Sequence, residues 1–259
     1  MAYEKIIIEN HPPHVSSITL NRPQHFNTFD TLMGSEFYVA LKELDADPDI
    51  RVIIIKGAGK SFCAGIDVNE LENKSAMEYR GWIEHMERPL IHISKMDTPV
   101  IAQVHGVAAA NGMGVVAAAD LAIAADNVRM GLTAVNVGLN CVGPVIPVAR
   151  SIGRKKALEL LLFGDLIGAP EAMSMGLINR VVPKEDLEEE TLKWASALAN
   201  KSPIAVRLAK QGFYRSEDMN YDRQFDYMNE VFARLCSTDD AKEGVKAFFE
   251  KRPANWTGK

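Results

Sequence analysis

Two short apolar runs that each empty into a loop of very small residues constrain this chain more than anything else in it. Val52 to Lys56 leads into Ser61-Phe62-Cys63-Ala64-Gly65-Ile66-Asp67, and Val100 to Val104 leads into His105-Gly106-Val107-Ala108-Ala109-Ala110-Asn111-Gly112-Met113-Gly114. A continuous apolar run of this length reads as a strand buried on both faces, which implies a parallel sheet covered by helices. Each loop is expected to run straight into a helix. Two such turns can aim two backbone N–H groups at one point, the arrangement that stabilises a carbonyl oxygen as it gains negative charge. No carboxylate follows either loop where an acid or base would be expected.

The rest of the chain fits an α/β reading. Ile6-Ile7-Ile8 and Val15 to Leu20 read as strands around His11-Pro12-Pro13-His14. Leu32 to Leu44 carries a helical period with Phe37, Leu41 and Leu44 on one face, with Thr31 as its cap and Pro48 beyond its end. A charged helical stretch runs from about Ser75 to Ser94, and Leu121 to Ala125 is the next strand. The order strand, loop, helix, strand argues for crossovers. From Lys155 the chain turns helical, over Lys155 to Phe163, Glu188 to Ala199, Pro203 to Tyr214, Asp222 to Leu235 and Asp239 to Lys251. The last of these carry wide apolar faces, suited to packing on the core or on another subunit.

Composition narrows the function. With 259 residues and 47% apolar residues, a substantial core is available, and a net charge of −5 leaves no footprint for nucleic acid. No run of 18 apolar residues exists, so no membrane span is expected, and the N-terminal residues read as neither a signal nor a transit segment. Three cysteines, Cys63, Cys141 and Cys236, lack metal-ligand spacing and make a reducing cytoplasm the simplest setting. No cofactor or metal is expected.

Gly57-Ala58-Gly59-Lys60-Ser61 is not a phosphate-binding P-loop, because the position five residues before Gly59 is Ile54 rather than glycine. Lys60 is a candidate for a phosphate near the loop, against plain solvent exposure. Asn111-Gly112-Met113-Gly114 lacks the third glycine of a dinucleotide fingerprint and suits a helix start that approaches a ligand closely. The six histidines show no ligand spacing. Cys141 lies in a loop bounded by Gly138 and Pro144, with Asn136 and Asn140 nearby. It reads first as a small buried hydrophobe; a thiol nucleophile would need an activating base, which the sequence does not identify.

Over nearly its whole length the chain resembles the crotonase, or enoyl-CoA hydratase/isomerase, superfamily. The segments that carry the resemblance are Ile18-Thr19-Leu20-Asn21-Arg22-Pro23, Ser61 to Asp67, Val100 to Asp120, Gly176-Leu177-Ile178-Asn179-Arg180-Val181-Val182-Pro183 and Ala247-Phe248-Phe249-Glu250-Lys251-Arg252. The resemblance implies an α/β spiral of repeated β-β-α turns over residues 1–200. A helical C-terminal module, 201–259, would drive trimerisation or a pair of stacked trimers. It also implies an acyl-CoA ligand, with coenzyme A entering as part of the substrate. The two oxyanion amides fall on Ile66 and Asn111, where the family more often has glycine at the second position. His25, Phe26, Ala64, Asp67 and Val68 fall along the CoA channel, and Phe248, Lys251 and Arg252 near its adenine end.

The acid–base pair departs from the family. The glutamate that follows the second oxyanion loop by three residues is Gly114 here, and the Pro-Glu pair before Gly138 is Thr133-Ala134. Asn136-Val137-Gly138-Leu139-Asn140-Cys141 is most similar to the branch that includes the animal enoyl-CoA hydratase domain-containing proteins. Three functions stay open. One is an enzyme working through a stabilised thioester enolate, with Asp67, Asn140, Cys141, Glu84 or His85 as candidate proton carriers. The second is a thioester hydrolase using Cys141, and the third is a CoA-ester-binding protein without turnover.

Overall fold

The computed structural model describes residues 3–259. A six-stranded sheet in the order β1-β2-β3-β4-β6-β9 forms its centre. It comprises β1 (Ile6–His11), β2 (Val15–Leu20), β3 (Val52–Gly57), β4 (Val100–Val104), β6 (Leu121–Ala125) and β9 (Arg180–Val182). The β1–β2 hairpin is antiparallel and every other pairing in this sheet is parallel. A three-stranded sheet of β5 (Val107–Ala109), β7 (Arg129–Gly131) and β8 (Ile167–Gly168) lies beside it.

The helices are α1 (Thr31–Ala46), α2 (Ala76–Ile93), α3 (Asn111–Ala118), α4 (Val145–Ile152), α5 (Arg154–Phe163) and α6 (Ala169–Ser174), followed by α7 (Leu187–Ala199), α8 (Pro203–Ser216), α9 (Tyr221–Cys236) and α10 (Asp239–Glu250). This is the α/β class the sequence implies, with a helical C-terminal region.

The apolar strands explain the layering. In β3, Ile53 and Ile55 point into the larger core with α1, α2 and α3, whereas Val52 and Ile54 face Leu187, Ala195 and Ala199 of α7. Period-two alternation therefore buries both faces, so neither face tolerates a polar residue. Since β3, β4 and β6 run parallel, α2 and α3, which return the chain between them, point the same way. Both finish at the end of the sheet where β4 and β6 begin, and there Asp120 Oδ2 accepts from the Val100 N–H at 2.7 Å.

Three local expectations need correction. Asp30, not Thr31, caps α1, accepting from the Met33 N–H at 2.7 Å, and Thr31 is the first helical residue. The first small-residue loop passes through a 3-10 turn at Val68–Leu71 before α2, and the second forms β5 before α3. The period of neither sheet nor helix can register in elements of three or four residues.

The C-terminal helices are pinned to the core by buried charge. Lys210 on α8 donates to Asp120 Oδ2 at 2.7 Å and to the Thr98 carbonyl at 2.9 Å, and the Tyr214 hydroxyl donates to Asp120 Oδ1 at 2.9 Å. Tyr221, Phe225 and Phe232 on α9, and Phe248 and Phe249 on α10, are exposed. No helix among the described residues is long and apolar enough to cross a membrane.

Candidate active site

The two small-residue loops are laced together by their backbones. Phe62 N–H donates to the His105 carbonyl, Cys63 N–H to Val107, and Ala109 N–H back to Cys63. Asn27, fully buried, holds the first loop from beneath by donating to the Ala58 and Ser61 carbonyls, each at 2.8 Å. The loops touch where only glycine fits. Gly65 has φ +118°, and a Cβ placed on it would lie 3.1 Å from the Ala110 Cβ and 3.9 Å from the Asn111 nitrogen. A Cβ on Gly112 would lie 2.1 Å from the Cys63 carbonyl oxygen.

This lacing leaves one donor over on each loop beside engaged neighbours: Asp67 N–H donates to Phe29 and Ala110 N–H to Gly131, while the Gly65 carbonyl accepts from Phe29. The Ile66 and Asn111 N–H groups themselves have no acceptor among the described residues. Asn111 opens α3, where the first-turn amides are unpaired and carry the positive end of the helix dipole. Its side chain is buried, and its Nδ2 also lacks an acceptor. Free amides from adjoining residues on two loops can jointly grip one oxyanion.

Beside them lies a rim that gathers most of the sequence candidates. Ala64 N–H donates to the Phe26 carbonyl, bringing His25 and Phe26 onto the first loop, with Val68 following it; His25, Phe26, Lys60 and Val68 are all exposed. Asp67 is different. Its carboxylate is buried and accepts from Arg22 Nη2 at 2.9 Å and from the Asn69 backbone and side-chain amides. Arg22 also pairs with Asp30 at 3.2 Å. Burial works to raise the Asp67 carboxyl, but the Arg22 and Asn69 hydrogen bonds outweigh it and hold it below the ordinary value. Asp67 is therefore a fastener for the loop and a poor base.

Phe248, Lys251 and Arg252 lie away from this rim within one copy of the chain, where α10 packs on α8 and α9. Arg252 is already held by Glu243 and Glu250, so among these three the cation without an ion partner is Lys251.

Where the family's first glutamate would project, the space is filled. A Cβ on Gly114 would lie 2.9 Å from the Pro144 Cβ and 3.1 Å from both the Pro144 Cα and Leu90 Cδ2. Ala134 sits in a 3-10 turn, Thr133–Val137, with its backbone beside the Cys141 thiol. Cys141 is buried, and burial pushes its thiol up, outweighing that backbone contact, so it stays protonated near neutrality. A buried, protonated thiol is poorly prepared to act as a nucleophile. Asn140 is exposed. Glu84 pairs with Arg80 along α2, and His85 bonds Ser35 and the Thr31 carbonyl.

One carboxylate escaped the sequence reading. Glu87 on α2 is half-buried, and a Cβ on Gly143 would fall 1.7 Å from its Oε1. Burial first, and the nearby Glu84 charge second, raise its carboxyl above the ordinary value. The signal was present as an acid at the second place of Ile83–Glu87–Leu90–Ser94, a helical stripe of buried and half-buried residues.

Residues 11–259 match the family described as enoyl-CoA hydratase/isomerase. A crotonyl-CoA hydratase of Syntrophomonas wolfei is 36% identical over 263 residues, covering 100% of both chains. The mitochondrial enoyl-CoA hydratase domain-containing protein 3 of Homo sapiens is 34% identical over 245 residues, covering 94% of this chain and 80% of that one. A crystal structure of an enoyl-CoA hydratase from Mycobacterium smegmatis superposes with a TM-score of 0.95 at 33% identity, over 98% of this chain and 99% of that one.

Proposed function

The chain belongs to the enoyl-CoA hydratase/isomerase family, and from that premise we propose that it binds an acyl-CoA and stabilises the thioester enolate between the Ile66 and Asn111 amides without being an ordinary hydratase. The observation that carries the second half is the occupancy of the Gly114 position by Pro144 and Leu90. Adding water across a double bond needs groups that hold the water and deliver a proton. Each such group is typically worth roughly 10²–10⁴-fold. Two missing carboxylates therefore remove most of that rate, while the amide pair continues to lower the cost of enolate formation, at roughly 10²–10³-fold per donor.

His25, Phe26, Lys60, Ala64 and Val68 line the CoA path in this reading, with Lys251 and Phe248 reaching a CoA from α10. The exposed aromatic faces of α9 and α10 support a homotrimer, or a pair of trimers, built by residues 201–259. Three unpaired cysteines suit a reducing cytoplasm. The proposal is tested by measuring acyl-CoA affinity and crotonyl-CoA hydration together. We expect CoA-ester binding with hydration far slower than a two-glutamate hydratase achieves. Hydration at such an enzyme's rate overturns the reading of Gly114 and Ala134.

A further inference from the structure

A carboxylate on the inward stripe of a helix is out of place unless something requires it there. Glu87 lies four residues after Ile83 and three before the buried Leu90, yet neither a hydrogen bond nor an opposite charge contributes to its environment. Its contact with Gly143 leaves room there only for a hydrogen atom. Any larger side chain at 143 would push the carboxylate away.

Its level along the helix is informative. Leu90 meets α3 at Gly114. Because α2 and α3 point the same way, stepping back one turn from that contact reaches Glu87 on one helix and Asn111 on the other. By this count Glu87 is level with Asn111 along the two helices, and its carboxylate lies against Gly143, next in sequence to Pro144. It also borders a cavity of about 480 Å³ that continues past Leu90 to Ala117, Ile146 and Phe213. The family's acid would project from α3 at position 114; here Pro144 fills that place, and an acid on the neighbouring helix, Glu87, lies against the adjoining Gly143.

We propose that Glu87 is the proton-transfer group of this site, removing the proton from the carbon next to the thioester carbonyl and returning it. This rests on the acyl-CoA reading above. The electron pair of the Cα–H bond becomes the Cα–C1 π bond, and the carbonyl π pair moves onto the oxygen held by the Ile66 and Asn111 amides. Glu87 becomes a carboxylic acid and then gives its proton back as the carbonyl re-forms. Returned to the same carbon, the proton exchanges with solvent; returned two carbons further along a 3-enoyl chain, it shifts the double bond. A single carboxylate suffices because no water has to be held.

The test incubates the full-length protein with saturated acyl-CoA thioesters, from butyryl to decanoyl, in D2O and follows deuterium at the α carbon by mass spectrometry. Glu87→Gln is run beside the native protein, with acyl-CoA affinity and Tm measured for both. We expect exchange by the native protein and a loss of about 100-fold or more in the variant. Affinity should change less than about 3-fold, and Tm should hold or rise, because a half-buried charge has been removed. Exchange at the native rate in the variant, or binding without exchange by the native protein, overturns the role of Glu87 and leaves the acyl-CoA reading standing. A loss of exchange matched by loss of affinity or Tm also overturns it, marking Glu87 as structural. Failure of the native protein to bind any acyl-CoA overturns the underlying reading itself.

Discussion

At Gly114 the missing carboxylate is a matter of volume as well as chemistry. The Pro144 Cα and Cβ stand within 3.1 Å of where a Cβ would be, and a proline backbone cannot swing aside as a flexible side chain can. Gly114→Glu should therefore lower stability by about 1–3 kcal/mol through overpacking and should not create crotonyl-CoA hydration; urea unfolding and a hydration assay check the two halves. Asp67 makes the opposite kind of residue-scale statement. Its carboxyl is held below the ordinary value, so its contribution is present above the unfolded-state value and lost as pH falls through the folded-state value, below about pH 4. The stability gap between the native protein and Asp67→Asn should be full at pH 6 and shrink as the pH is lowered below that point, as read by denaturant unfolding across pH. The two loops that leave the Ile66 and Asn111 amides unpaired were legible because loops of small residues after buried strands have few other uses. Glu87 was not, because one acid on a charged helix looks like a solvated one until its neighbours in space are known.

At the scale of elements, α8 hangs from a buried polar knot. The Lys210 side chain is 6% exposed and that of Asp120 is 14% exposed. Breaking a buried pair leaves a charge without its partner, at a typical cost of about 3–5 kcal/mol. Asp120 would still accept from Tyr214 and the Val100 N–H, so Lys210→Ala should fall at the lower end of that range in urea unfolding. The long helices from α7 onward were readable because each repeats its apolar period over three or more turns. The strands β5, β7 and β8 were not, since two or three residues cannot display an alternation. The helix α4 was missed for another reason: Gly143-Pro144 before it and Pro147 within it imitate a loop.

At the scale of the whole molecule, the exposed aromatics on the last two helices are the surface on which the proposed assembly is tested. Phe232 is 67% exposed and Phe248 76%, within apolar faces that have no cover in a single copy. The native protein should run as a trimer or a multiple of it in light scattering after size-exclusion chromatography, and Phe225→Asp with Phe232→Asp should reduce the mass towards that of one chain. A native monomer would remove the assembly proposed for residues 201–259. The α/β layering was legible in advance because three separate short, largely apolar strands demanded cover on two sides; the C-terminal helices were legible only as a surplus of aromatic surface.

The Arg22 guanidinium, reaching Asp30 at one end of the turn and Asp67 at the other, acts as a latch that is shut before any ligand arrives. In the proposed function the nitrogen at 66 is aimed by folding rather than by the incoming ester, so no reorganisation is left to be done at the moment charge develops. Acidifying the solution should undo that latch while the surrounding sheet still stands, and grip on the ester should weaken at a milder pH than the one that unfolds the chain.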